Sequence, residues 1–360
     1  MAGFESAPPD LKPLLSQRIS TLGLRLEGSP IERYVADLYR ELEGKGLTRF
    51  RPPTYLTDEW GCPSEEPIIG IPFYLADAKL TRLEQEIDEV EDEREIRMYL
   101  RHEAGHAFNY AYKLYETDEW RERFGPFNRP YRERYRPVPF DRHYVRHMEG
   151  WYAQKHPDED FAETFAVWLT PRSSWRRRYR GWPALRKLQY VDRTARRVGD
   201  VEPTVRLAST DITVDEMSMT VEEFFRQQQP EPEPVDLALE HDLRDLFTRR
   251  RAGRRPAAEL LRQHRATLVN KIEYWTGVRR SVVRALVDKL EETAARAGLA
   301  VGPGGEAAAL VEVTTYATAL AMNYLTHGSF LPRARRRRPG GGGRPAGAPS
   351  PHADPDRPRR

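Results

Sequence analysis

His102-Glu103-Ala104-Gly105-His106 places two imidazoles four residues apart with a carboxylate beside the first. On an α-helix the two histidines lie about 40° apart on one face, so both can reach a single ion. Glu103 lies about 100° round from His102, close enough to address water at that ion without ligating it. A catalytic zinc takes three protein ligands and keeps one position open. The pattern that extends to a third histidine needs Gly at 109 and His at 112, and the chain has Asn109 and Tyr112. The remaining candidates are His143, His147, His156 and the acids of HPDEDFAETFAVWL, residues 156–169.

Helix geometry favours the acids. Pro157 suits a first helical turn, and Glu159 and Glu163 then sit one turn apart on a shared face. Phe161, Phe165 and Trp168 fall roughly opposite and read as core. Ala162 and Ala166 flank the carboxylates and leave room for a close approach to the helix carrying Gly105. One glutamate can bind the ion while the other accepts a hydrogen bond from a ligand imidazole and fixes its tautomer. The spacing leaves their order open. Asp158 and Asp160 read as flanking charge, favourable at a helix start in any case.

HEAGH followed by HPDEDFAETFA resembles a bacterial family of gluzincin-type zinc-binding metallopeptidases, over roughly residues 30–195. The second motif is also similar to the acid helix of lethal-factor-like and Pro-Pro endopeptidases, with Asp160 standing where that pattern has Phe. The resemblance implies one catalytic zinc ion on His102, His106 and Glu159, with Glu163 hydrogen-bonding a ligand imidazole. It further implies that Tyr152, seven residues before Glu159, stabilises an oxyanion. Tyr144 and His147 are the fallback donors. An N-terminal zinc ribbon, frequent in the family, cannot be built here, because Cys62 is the only cysteine. The activity implied is hydrolysis of peptide bonds in a peptide or protein substrate, with zinc-activated water and Glu103 as general base. The alternative is a catalytically silent zinc-binding interaction protein. Glu103 argues against it, since a structural site requires no base.

These residues need elements to hold them. Residues 30–44 read as an amphipathic helix through Tyr34, Leu38 and Leu42. Residues 65–77, EEPIIGIPFYLAD, are the best strand, and Pro72 argues for an edge strand, available as a rail for an extended peptide. Residues 84–115 read as one long helix or two abutting ones. After a linker at 227–236, helices are expected near 237–251, 257–276, 278–297 and 306–327, which either recognise a protein partner or complete the core. The fold class expected is α+β, mainly helical: an N-terminal extension (1–29), a zincin-like metallopeptidase domain with a small edge-strand sheet (30–230), an all-α region (236–331) and a disordered basic tail (332–360). From Arg333 onward nine arginines face two aspartates, so the rest of a chain of net charge +3 is near −4. A nucleic-acid partner is not expected from such a tail alone. No apolar run approaches the length of a membrane span, no secretory signal is visible, and a single cysteine fits a reducing compartment. Cytoplasmic placement is the expectation.

Overall fold

The computed structural model describes residues 8–87, 90–132, 135–148, 150–206, 208–228, 239–249 and 253–330. The protein is mainly helical, with two small sheets of two strands each. Two helices form its centre.

The first, Glu93–Ala111, is the histidine helix. The Asp92 side chain accepts from the N–H groups of Arg94 and Glu95 at 2.7 and 2.8 Å, and Glu95 accepts from the Asp92 N–H at 2.9 Å. This reciprocal cap satisfies the free donors of the first turn. It also explains why the helical stretch expected over 84–115 is divided into Ala78–Ile87 and Glu93–Ala111. A bidentate pair from Arg101 to Glu41, at 2.7 and 2.6 Å, ties the histidine helix to Glu32–Gly44. That helix buries Tyr34, Val35, Leu38 and Leu42.

The second, Pro157–Leu169, is the acid helix, and every residue in it is buried. Pro157 occupies the first turn, and His156 Nδ1 caps the helix by accepting from the Asp158 N–H at 3.2 Å. The apolar face is core: Phe165 stacks on Phe108 of the histidine helix with centroids 5.0 Å apart, and Phe161 meets Phe124 edge-on at 5.2 Å. Burial of the other face requires each carboxylate to find donors or a cation. Asp160, expected to be flanking charge, instead forms a buried ion pair with Lys187 of the helix Ala184–Val198. Desolvation still leaves the Asp160 carboxyl raised to about 7, with Lys187 pulling the other way.

The two helices touch at their smallest residues. A Cβ on Gly105 would lie 2.7 Å from Ala162 Cα and 2.9 Å from the Ala162 carbonyl oxygen. Backbone therefore meets backbone there, as the small-residue pattern predicted.

Thr54–Thr57 (β1) pairs in parallel with Ile69–Pro72 (β2), Thr54 opposite Ile69 and Thr57 opposite Pro72. The strand expected over 65–77 is shorter because the chain turns into a 3-10 segment at Phe73–Ala76. It is an edge of this sheet of two strands, with one residue of its outer side bridged by a neighbouring segment. The Ile69 N–H bonds Pro53 on one side at 2.9 Å, while Gly70 exchanges backbone hydrogen bonds with Gly61 on the other, at 2.7 and 3.4 Å. That single bridge sets Gly61 beside β2 without making a third strand.

A second hydrophobic cluster gathers Leu260, Leu261, Val269, Ile272, Val283, Leu286 and Leu290. It is built from Glu240–Leu246, Ala257–Gln263, Arg265–Thr276, Arg280–Arg296 and Gly305–His327. The helix expected over 257–276 is interrupted at His264, which ends one helix and opens the next. Most of the linker at 227–236 and the whole tail at 332–360 lie outside the described residues. Among the described residues, no helix is long and apolar enough to cross a membrane.

Replacing Gly105 by Ala is expected to lower stability by about 1–3 kcal/mol through overpacking against Ala162. The sign is informative, because alanine favours a helix by about 1 kcal/mol over glycine. Urea denaturation of the two proteins measures it.

Candidate metal centre

The close approach at Gly105 brings the polar faces of the two helices together. His102 Nε2 and His106 Nε2 lie 3.1 Å apart, and each is close to the same Glu159 Oε2, at 3.0 and 3.1 Å. All three residues are buried. The far nitrogen of each ring has its own carboxylate. His102 Nδ1 is 3.1 Å from Glu163 Oε1, and His106 Nδ1 is 2.8 Å from Asp158 Oδ2. Glu163 Oε2 accepts from the backbone N–H groups of His147 and Met148 at 3.2 and 3.0 Å. Asp158 is further held by Asn109 Nδ2, which donates to Oδ1 at 2.8 Å, and by the Tyr110 hydroxyl.

These contacts define the protonation pattern. A carboxylate accepts only, so each Nδ1 must donate, and each neutral ring then presents a bare lone pair at Nε2. Two lone pairs and a carboxylate oxygen converge within about 3 Å with no hydrogen to share, an arrangement that a cation relieves. The donor set, two imidazoles and one carboxylate, suits a divalent transition ion. The cluster of His102, His106 and Glu159 could hold a metal ion. Without one, protons must do the work. Burial disfavours charge on His102, but Glu159 and Glu163 outweigh it and raise the ring to about 9. His106 is likewise raised well above the ordinary range, against the cost of burial, by Asp158 and Glu159. Burial alone would raise Glu159, yet the two rings hold it well below the usual carboxylate range.

The cluster forms the floor of a cavity of about 720 Å³, lined on one side by Trp60, Gly61, Cys62 and Glu65 and on the other by Tyr131, Tyr152 and Lys155. Glu103 is buried at this floor, and desolvation raises its carboxyl. Among the described residues its carboxylate engages no hydrogen-bond donor, which leaves it available to water. Tyr152 stands over the cluster, its ring edge-on to His102 with centroids 5.6 Å apart. The Tyr131 hydroxyl donates to Glu159 Oε1 at 2.6 Å. With that proton committed, Tyr152 is the donor in the long 3.4 Å contact between the two hydroxyls, and its oxygen accepts from Lys155 Nζ at 3.3 Å. A donor held so loosely is easily redirected into the cleft.

Of the residues singled out from the sequence, His102, Glu103, His106, Tyr152, Glu159 and Glu163 come together in one place. The geometry puts Glu159, not Glu163, beside both Nε2 atoms. The rings of the alternative histidines are engaged away from the cluster, although His156 lines the same cavity: His143 is exposed and faces Asp141, His147 Nε2 donates to the Met98 carbonyl, and His156 Nε2 donates to the Arg129 carbonyl. Tyr144 packs beneath Lys187. Asp158, read as flanking charge, is instead the partner of His106. Its signal was present: two ligand rings need two Nδ1 acceptors, and an antiparallel acid helix sets an earlier acid opposite the later histidine. Tyr131, in an irregular segment, carried no sequence signal. The thiol of Cys62 donates to the Glu66 carbonyl at 3.1 Å and is pushed well above its usual range by burial, so it supplies no thiolate to the cleft. No protein-family model matches the chain, and neither a curated protein nor a solved structure matches it.

Two outcomes are expected. Asp158→Asn should weaken uptake of an added divalent transition ion by about 10–100-fold, the usual effect of removing the partner of a ligand imidazole, as read by competition with a chromogenic chelator. The metal-free protein should lose stability as pH rises from 6.5 through about 9, because the His102 pKa is raised in the fold and its stabilisation exists only while the ring stays protonated. Protein loaded with such an ion should lack this decline, which thermal melts across that range would show.

Proposed function

We propose that the protein is a zinc-dependent peptidase of the gluzincin type, with His102, His106 and Glu159 as ligands and Glu103 as general base. The observation that carries this reading is the meeting of three acceptor atoms beside a buried, unengaged glutamate on the floor of an open cleft. Among the described residues three side chains converge, not the four that a closed structural site takes. That count favours catalysis over a silent metal-binding role.

Bound zinc would supply Lewis acidity, acidifying water and polarising a scissile carbonyl. Glu103, one residue from a ligand and carrying a raised pKa, is suited to take the proton of the attacking water and return it to the leaving amine. Tyr152 redirects its hydroxyl from Tyr131 to the oxygen of the tetrahedral species, where a fixed donor acts in a site shielded from water. Tyr131 holds the Glu159 Oε1 atom, so that Oε2 faces the histidines. Glu163 and Asp158 keep both rings in the tautomer that frees Nε2. The substrate lies along the segment through Gly61, which lines the cleft and bridges β2 at Gly70.

Zinc-loaded protein should cleave members of a quenched-fluorescent peptide library. Glu103→Gln should retain one zinc per chain and lose about 10²–10⁴-fold in kcat/KM. Tyr152→Phe should lose about 10²–10³-fold, mainly in kcat. Undiminished cleavage by Glu103→Gln would sink the assignment of the base.

A further inference from the structure

The turn that presents Tyr152 is not held by its own surroundings alone. Trp151 has φ +57, a left-handed conformation that a bulky residue adopts only when its neighbours impose it. Gly150, before it, has φ +71. The Trp151 side chain is buried, yet its indole N–H has no acceptor among the described residues, so packing rather than hydrogen bonding fixes it. Two groups supply that packing. The Arg146 guanidinium lies 3.9 Å from the Trp151 ring centroid. At the Cδ1–Nε1 edge stands Gly277, which ends the helix Arg265–Thr276 of the second hydrophobic cluster with φ +71. A Cβ there would lie 1.9 Å from Trp151 Cδ1 and 2.5 Å from Nε1. Trp275 of the same helix extends the contact, its ring 6.0 Å from Arg146 and 6.4 Å from Phe140.

We infer that the C-terminal helical region positions the oxyanion donor: Gly277 seats Trp151, and Trp151 aims Tyr152 at the metal centre. Gly277 and Trp151 are positioning residues, and they act through Tyr152. The C-terminal helices are thus a working part of the cleft rather than an appended module. This inference rests on the peptidase reading for its kinetic test, but not for its structural one.

The experiment compares Gly277→Ala with Gly298→Ala in the full chain. Gly298 also follows a helix with positive φ (+60) in the same cluster, but an added Cβ there meets nothing within 4 Å. Both variants carry the same backbone penalty, and only the first strikes Trp151. With zinc loaded and a fluorogenic peptide found by the library screen, Gly277→Ala should lose tenfold or more in kcat, with KM and zinc stoichiometry unchanged. Gly298→Ala should stay within twofold of wild type in kcat. Equal kcat in the two variants, whether lost or kept, overturns the inference. The crystal structure of Gly277→Ala gives a readout free of activity: the Tyr152 hydroxyl should move away from Tyr131, out of the 3.4 Å contact. An unmoved Tyr152 overturns the inference too. If zinc-loaded wild type cleaves no peptide, the peptidase reading falls, and the position of Tyr152 in that crystal decides the clamp by itself.

Discussion

The separation of the histidine and acid helices is set where Gly105 meets Ala162, and the geometry of the centre depends on that distance. A side chain at either point larger than the one present would push the helices apart. His102 and His106 would then no longer face Glu159 at hydrogen-bonding distance. Because the contact is backbone on backbone, it is stiff, and the polar atoms above it inherit that stiffness. The aromatic pair Phe108 and Phe165 completes the same interface from the core side. Apolar packing thus forces acceptor atoms together that would otherwise repel.

The acid helix poses the complementary electrostatic problem. Four carboxylates enter the interior on one helix, a cost that no helix-dipole effect of about 1 kcal/mol covers. The solution is distributed: Asp160 takes Lys187, Asp158 and Glu163 take the Nδ1 groups, and Glu159 takes the space between the two Nε2 atoms. The last is left to a proton or an ion. Asp160 Oδ1 is also buried without a hydrogen-bond partner among the described residues, but the acceptors converge at Glu159 alone, so the affinity for a cation is concentrated there.

Much of this was legible in the residues. The spacing of His102 and His106, the shared face of Glu159 and Glu163, and the small residues at 105, 162 and 166 are helical-period signals, and they survive into the structure because both helices are regular. Asp158 was misread because helix starts attract acids for a generic reason, which masked a specific one. That β2 is an edge strand was legible from Pro72, but the bridge to its outer side was not, because Gly61 sits in a segment without strand character. Tyr131 was invisible for a related reason: irregular chain has no period from which to infer what a side chain faces. Nor does periodicity disclose that Gly277 meets Trp151, since that contact joins two separately periodic regions.

The order of the ring partners has one more consequence. His102 pairs with Glu163 and His106 with Asp158, so progress toward the C-terminus along one helix is matched by retreat along the other. Two contacts at two heights act as a vernier. A slide by one helical turn, about 5.4 Å, breaks both ring pairs at once and leaves at most one imidazole opposite a carboxylate. The centre therefore gauges the register between segments 52 residues apart in sequence. The chain between them must return the acid helix to the same rung while also setting Tyr131 and Tyr152 over the centre.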